Sequence, residues 1–321
     1  MRRDRALATL AAAALAAQPH LLRAQTSAPP ALAKVRVAGS TTDGLAAMFY
    51  AMKTGMYQRA GLDVEYVATS SGGAATTAVI AGAYEIGVTS LIPVFNAHLR
   101  NVPIVLTVPQ AVYTPQNPFG LLQVAVDSPI RKPSDLNGKT IGCYGLGDLN
   151  QLATSEWLDK NGGDASTLKF AEIPFGASAD ALVQHRIDAM ILIEPILDVA
   201  LAGGRTRTLG DAYGAVAGRF MITAYISRTD WLAAHADVAH TFRTITQAAN
   251  AFANGHPSAT AALSAEATGI PLAVLQKMRR VAFAPSLEPG LLQPMIDACA
   301  KYHILPQSFD ARDVIWNYGA P

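Results

Sequence analysis

One arrangement of strand, polar loop and helix occurs twice in this chain, and that repetition restricts the fold more than any other feature. In the first copy, residues 35–39 read as a short apolar strand. Ser40-Thr41-Thr42-Asp43 is a polar loop, and a helix is expected over about 44–58. Residues 62–68 alternate as a second strand, Thr69 to Gly73 form a small-residue loop, and 74–81 a short helix. Residues 84–90 make a third strand ending in hydroxyls. The second copy runs through a strand at 139–144, the loop Gly145-Leu146-Gly147-Asp148, a helix at 149–160 and a strand at 168–173. It ends with the loop 174–178, a short helix at 179–185 and the apolar strand 187–195. Glu85 and Asp188 fall at matching places, as do Ser71 and Ser178, both candidate helix caps.

Strands alternating with helices at this spacing imply βαβ crossovers and a parallel sheet in each half. The reading is therefore an α/β chain of two lobes, each a mainly parallel sheet flanked by helices. Two extended apolar stretches, 121–126 and 220–227, are the expected strands that cross between lobes. Lobe 1 is then discontinuous, 34–120 with 228–321, and lobe 2 is 121–227. Apolar periodicity makes the remainder of lobe 1 helical, at 239–253, 260–267, 271–279 and 287–300.

The N-terminus reads differently. Arg2, Arg3 and Arg5 precede an unbroken small and apolar run at 6–17, and Ala24 is suited to cleavage, the order of a secretory signal peptide over 1–24. Twelve residues are too few for a permanent membrane span, which needs about 20. Arg2-Arg3 leaves both the general and the twin-arginine export routes open. Residues 25–33 are expected to be a flexible lead-in. Removing 1–24 takes four Arg and one Asp from the chain's 25 basic and 24 acidic residues, leaving 21 and 23, a net charge of −2. No basic stripe remains, so nucleic acid is a poor partner. The two cysteines, Cys143 and Cys299, form no disulfide framework, and neither follows the signal run as a lipid anchor would.

Motifs of catalysis are missing. The seven histidines are scattered, with no His-Glu-x-x-His and no Gly-x-Ser-x-Gly turn. Asn137-Gly138-Lys139-Thr140 resembles the tail of a phosphate loop, but Pro133 stands where the first glycine is required. No cysteine–histidine cluster has zinc spacing, so neither metal nor cofactor is expected. The chemistry that remains is recognition. Ligands of open α/β sheets sit outside the carboxyl ends of the strands, where this chain places Ser/Thr/Gly loops leading into helices. Helix N-termini offer unpaired N–H groups there. Glu194-Pro195 ends an apolar strand, where a bare carboxylate is costly to bury; it is expected to meet the ligand or to lock the hinge between lobes.

Several landmarks resemble a known family: Val35-Arg36-Val37 with Ala60-Gly61-Leu62-Asp63-Val64-Glu65, Ala81 to Gly87, Asp135 to Lys139, and Arg186-Ile187-Asp188-Ala189 followed by Glu194-Pro195. They are similar to the periplasmic solute-binding proteins of ABC importers, nitrate/sulfonate/taurine type, which share a fold with the thiamine-pyrimidine precursor proteins. Glu85 stands where an Asp is usual. The resemblance implies the type II periplasmic-binding-protein fold, a monomer in the periplasm, a permease as partner and no enzymatic activity. It implies that Ser40, Thr41, Thr42, Ser70, Ser71, Gly72, Thr89, Ser90, Tyr144, Gly145, Asp148, Phe175 and Glu194 hold a small organic molecule, such as a sulfonate, an aromatic or a pyrimidine-like compound. Asp43, Asp148 and Glu194, with no Arg or Lys in these loops, lean toward a neutral or amine-bearing ligand. The superfamily also contains fungal pyrimidine synthases with a Cys-rich iron-binding run; Gly142-Cys143-Tyr144 has one Cys only. An exported sensory binding protein without a transporter is the other reading.

Overall fold

A computed structural model describes residues 31–318. The signal-peptide expectation for 1–24 lies outside the described residues, as does most of the lead-in; Ala33, expected to be flexible, already opens a strand. In chain order the strands are β1 (Ala33–Gly39), β2 (Leu62–Ala68), β3 (Ile86–Ser90), β4 (Ile104–Pro109), β5 (Ala111–Tyr113), β6 (Gly120–Ala125) and β7 (Thr140–Cys143). They continue with β8 (Lys169–Glu172), β9 (Ala189–Ile193), β10 (Thr206–Gly210), β11 (Phe220–Met221), β12 (Thr223–Arg228) and β13 (Ala282–Phe283).

Two five-stranded sheets form, in the orders β2-β1-β3-β12-β4 and β8-β7-β9-β6-β10. The orders are the same. In the first, β1 is parallel to β2 and β3, while β12 runs antiparallel to β3 and β4. In the second, β7 is parallel to β8 and β9, while β6 runs antiparallel to β9 and β10. Each sheet thus contains one strand running against the rest. In sheet 2 that strand, β6, is the first after the chain leaves sheet 1; in sheet 1 it is β12, the first after the return. Stretch 121–126 lies almost wholly in β6, and stretch 220–227 is divided between β11 and β12. Between the two large sheets stands a small third one, β11-β5-β13. Tyr113 of β5 stacks on Phe220 at 5.2 Å, and its hydroxyl donates to Asp211 at 2.6 Å. Burial, with that carboxylate, pushes the Tyr113 phenol upward.

The repetition extends to single hydrogen bonds. Glu85, one residue before β3, accepts from the backbone N–H of Arg36 in β1 at 2.8 Å, and Arg36 Nη2 closes the pair at 2.5 Å. Asp188, one residue before β9, accepts from the N–H of Thr140 in β7 at 2.8 Å. Each carboxylate fastens the start of the third strand to the first, which explains why an acid occupies both places.

Helices Ala46–Lys53, Ala236–Gly255 and Pro257–Thr268 cover one face of sheet 1. There Tyr57 stacks on Phe242 at 5.4 Å and its buried hydroxyl meets Thr246 at 2.7 Å. Helix Gln293–Lys301 continues the C-terminal region toward sheet 2: Lys301 pairs with Glu156 at 2.9 Å and Tyr302 donates to Asp159 at 2.7 Å. The apolar core is continuous from Leu106 and Ala224 of sheet 1, through Tyr113 and Phe220, to Leu122 and Ile141 of sheet 2. Cys143 and Cys299 are buried free thiols, and burial pushes both up to about 12.

Gly142 shows how closely sheet 2 is packed. A methyl group there would stand 2.5 Å from Ile187 Cδ1 and 2.7 Å from Met190 Sδ. Gly142→Ala is expected to cost about 1–3 kcal/mol by overpacking, read as a lower urea midpoint at unchanged slope. An unaltered midpoint would show that this layer yields.

Candidate functional site

All thirteen residues expected to bind ligand lie at or just beyond the carboxyl ends of β1, β2, β3, β7, β8 and β9. In sheet 1, Ser40, Thr41 and Thr42 follow β1. The Tyr66 hydroxyl donates to the Gly39 carbonyl at 2.8 Å and lies 2.8 Å from Thr41 Oγ1. Having spent its own proton, it accepts that of Thr41. Phe49 packs edge-on against Tyr66 at 5.1 Å. After β2, Ser71 caps helix Gly72–Ile80 by accepting from Ala74 N–H at 3.1 Å, as expected, while Ser70 is exposed. A Cβ on Gly72 would lie 3.0 Å from Thr89 Oγ1 and 3.1 Å from Thr89 Cα, so a side chain there would push this helix start away from the end of β3. Thr89 is 2% exposed, and its hydroxyl has no partner among the described residues. Ser90 precedes helix Leu91–Leu99 without capping it through its side chain.

In sheet 2, Asp148 caps helix Leu149–Lys160 and folds its own loop. It accepts from Tyr144 N–H at 2.8 Å, Gly145 N–H at 3.1 Å and Gln151 N–H at 2.9 Å. Burial still outweighs those donors and raises its carboxyl above the usual range. Tyr144 and Phe175 face each other at 5.5 Å, with Phe175 43% exposed. The Tyr144 hydroxyl lies near Ser178 and the Ile193 backbone N–H, but no well-aligned bond forms. The expected cap at Ser178 is corrected: helix Ser178–Val183 begins from Ala177, and the Ser178 hydroxyl donates back to the Phe175 carbonyl at 2.8 Å. The cause is the 3-10 turn Phe175–Ala177, which runs straight into the helix and leaves Ser178 inside it.

Glu194 follows β9, and its side chain is 3% exposed. It accepts from Arg279 Nη1 at 3.3 Å and from Asp198 N–H at 3.2 Å. Burial first, and then the neighbouring Asp198 carboxylate, push Glu194 up to about 7; Arg279 opposes this and does not prevail. Arg279 also reaches Asp198 at 3.3 Å. Since Arg279 belongs to the stretch that leads into β13 and Glu194 follows β9, this contact ties the approach to the small third sheet to the end of sheet 2.

Asp43 is likewise engaged. Arg280 Nε lies 2.9 and 2.8 Å from its two oxygens, and Nη2 2.7 Å from one. The same guanidinium donates to the Pro257 carbonyl, Thr260 and Ser264. Asp43, Asp148 and Glu194 are thus all engaged by partners within the chain and leave no bare carboxylate to favour an amine ligand.

Sequence reasoning missed Gln110, Tyr66, Arg279 and Arg280. Gln110 follows β4 and is 2% exposed; its amide lies against the buried Tyr225 hydroxyl, and neither group makes a well-aligned bond among the described residues. A lone amide within the apolar run 104–113 was its signal. Two cavities, of about 370 and 450 Å³, are lined by none of the thirteen residues, although Arg279, which reaches Glu194, lines the smaller together with Arg280. Among the described residues no group of three His, Cys, Asp or Glu could hold a metal, and no helix is long and apolar enough to cross a membrane.

A family model described as NMT1/THI5 like matches residues 43–260. The chain belongs to the NMT1/THI5-like family. The fold of this family member is also that of solved binding proteins. The periplasmic aliphatic sulphonate-binding protein SsuA of Escherichia coli superposes with a TM-score of 0.73 at 18% identity, covering 90% of this chain and 93% of that one. The nitrate-binding protein NrtA of Synechocystis PCC 6803 gives 0.69 at 12% identity, over 88% and 84% of the two chains. The Candida albicans CA3427 product, described as having the generic periplasmic binding protein fold, gives 0.72 at 13% identity, over 90% and 98%. At such identities the likeness establishes the fold: this NMT1/THI5-like chain has the periplasmic-binding-protein architecture. No match was found among curated proteins.

Proposed function

We propose that the protein is a periplasmic solute-binding protein that takes a small organic molecule between the loop clusters of its two lobes and presents it to the permease of an ABC importer. On this reading lobe 1 comprises 34–120 with 228–321 and lobe 2 the segment between. The observation that carries it is the identical strand order of the two sheets, each ending in small polar loops, with Glu194 at the end of sheet 2 held by Arg279 of the segment that leads into the small third sheet. The small sheet of β5, β11 and β13 supplies the hinge, and ligand favours whichever arrangement gives it the better contacts. The solved relatives named above include binders of sulphonate and nitrate, which supports a solute-binding role without naming this ligand.

Thr41, Ser71, Gly72, Thr89 and Gln110 form the lobe 1 side, and Tyr144, Gly145 and Phe175 the lobe 2 side. Asp148 shapes its loop from within, and Glu194 acts in the tie between lobes. Tyr66, Tyr144 and Phe175 suit a flat or apolar portion, and Thr89 and Gln110 supply neutral polar groups. A ligand of mixed aromatic and polar character fits this set.

Thr89→Val tests the assignment. Replacing a buried hydroxyl that lacks a partner by a methyl of the same shape is expected to leave stability unchanged or slightly raised. A ligand found by thermal-shift screening of sulfonates, aromatic acids and pyrimidines is expected to bind about tenfold more weakly, as for the loss of a hydrogen bond worth about 1.5 kcal/mol. Undiminished affinity in a calorimetric titration removes Thr89 from the site. Turnover of the bound compound would move the reading to the enzymes of the superfamily.

A further inference from the structure

The cavity of about 450 Å³ borders the β4 edge of sheet 1, and none of the thirteen residues discussed above lines it. Its size is that of a small-molecule site. Arg243, on helix Ala236–Gly255, lies over the Trp316 indole at 5.1 Å. The backbone beneath the indole is anchored, because the Trp316 main-chain N–H donates to the Leu106 carbonyl at 2.8 Å and Ile315 bridges to Leu106 alongside β4. Arg243 is half-buried, and among the described residues no carboxylate comes within ion-pair distance of it. Its side-chain hydrogen-bond partner is His240 Nδ1, at 3.3 Å, and His240 in turn stacks on Tyr318 at 4.1 Å.

Three acids in this region are already occupied. Asp310 pairs with Arg312 at 2.9 Å, Asp237 accepts from the Tyr318 hydroxyl at 2.8 Å, and Glu288 accepts from Ser286. Asp313, beside Arg312, is exposed. A guanidinium withdrawn from water without a counter-ion is costly, and burial accordingly weakens the hold of Arg243 on its proton. With its Cζ over the indole and Nη2 directed to His240, its other N–H groups have no partner among the described residues and can take a carboxylate. Leu287 and Pro289 supply an apolar wall, and Asn317 a neutral amide.

We propose that this cavity binds a small organic carboxylate, its anionic end on Arg243 and its apolar part against Leu287 and Pro289. The inference is independent of the solute-binding reading, and the probes separate the two.

Calorimetric titration of the folded protein with sodium benzoate, and with benzamide as the neutral control, tests it. Benzoate is expected to bind with a Kd on the order of 1 mM or tighter, and benzamide not measurably. Arg243→Gln is expected to weaken benzoate about tenfold or more, the loss of a charge-assisted pair of bonds. Asn317→Asp places a carboxylate on the exposed rim without touching the helix and is expected to weaken benzoate several-fold by repulsion, about threefold at this exposure; it keeps the test sound if the Arg243 variant misfolds. Thr89→Val is expected to leave benzoate binding unchanged. Equal binding of benzamide, absence of benzoate binding, or binding removed by Thr89→Val and retained in Arg243→Gln or Asn317→Asp would overturn the proposal.

Discussion

Asp43→Ala is expected to lower the unfolding free energy by about 3–5 kcal/mol, because it strands a buried guanidinium. Asp43 and Arg280 are 8% and 12% exposed in their side chains, and the pair is held by three N–O contacts between 2.7 and 2.9 Å. Arg280 keeps its bonds to the Pro257 carbonyl, Thr260 and Ser264 when Asp43 is gone, so its head cannot swing out to water without giving those up. Arg280→Met is expected to be milder than Asp43→Ala: it removes the charge itself, leaves apolar volume behind, and strands only a carboxylate near the start of a 3-10 turn. Urea denaturation of both single variants and the double variant measures the coupling. A loss below about 1 kcal/mol for Asp43→Ala would mean that the pair behaves as a solvated one. The pair also matters to the site, since Asp43 follows the Thr41-Thr42 loop directly and anchors it to the segment that carries Arg279.

Much of this architecture was legible because it depends on local rules. The helix Leu149–Lys160 and strand β2 have the bounds that periodicity assigned. The repetition of the βαβ pattern led to two sheets, and the matched acids Glu85 and Asp188 turned out to make the same bond in each. What escaped depends on long-range pairing. Strands β4 and β10 lie in runs without alternation, and become strands only because β12 and β6 lie alongside. The helix expected over 44–58 breaks at Gly55, whose φ of 71° ends one helix and starts another. The helix expected over 271–279 stops at Leu275, and the chain turns so that Arg279 and Arg280 point to Glu194 and Asp43, acids 85 and 237 residues away in sequence. No periodicity reports such partners. The loops are legible from their composition; that Asp43 and Glu194 in them are engaged by Arg280 and Arg279 is not, because those partners come from a distant segment.

Glu194 gives the second large effect, and its sign is opposite to that of a paired surface acid. Its carboxyl is raised from 4.5 to about 7, by burial above all and by Asp198 next. The folded chain therefore binds a proton that the unfolded chain has released, and stability falls as pH rises from about 4.5 to about 7, levelling above that. The full loss is on the order of 3 kcal/mol. Glu194→Gln cannot titrate, so it is expected to lack this component of the pH profile while retaining a hydrogen-bond acceptor for Asp198 N–H and Arg279. Urea unfolding of both proteins at pH 5 and pH 8 isolates it, because the two chains share every other titrating group. Parallel profiles for the two proteins would show that Glu194 is solvated in the folded state and that the tie between the sheets is no tighter than a surface contact. A wild-type profile that falls while the variant's stays level would place a buried, proton-sensitive carboxylate at the junction of the two lobes, where any change in their separation must alter its contact with Arg279.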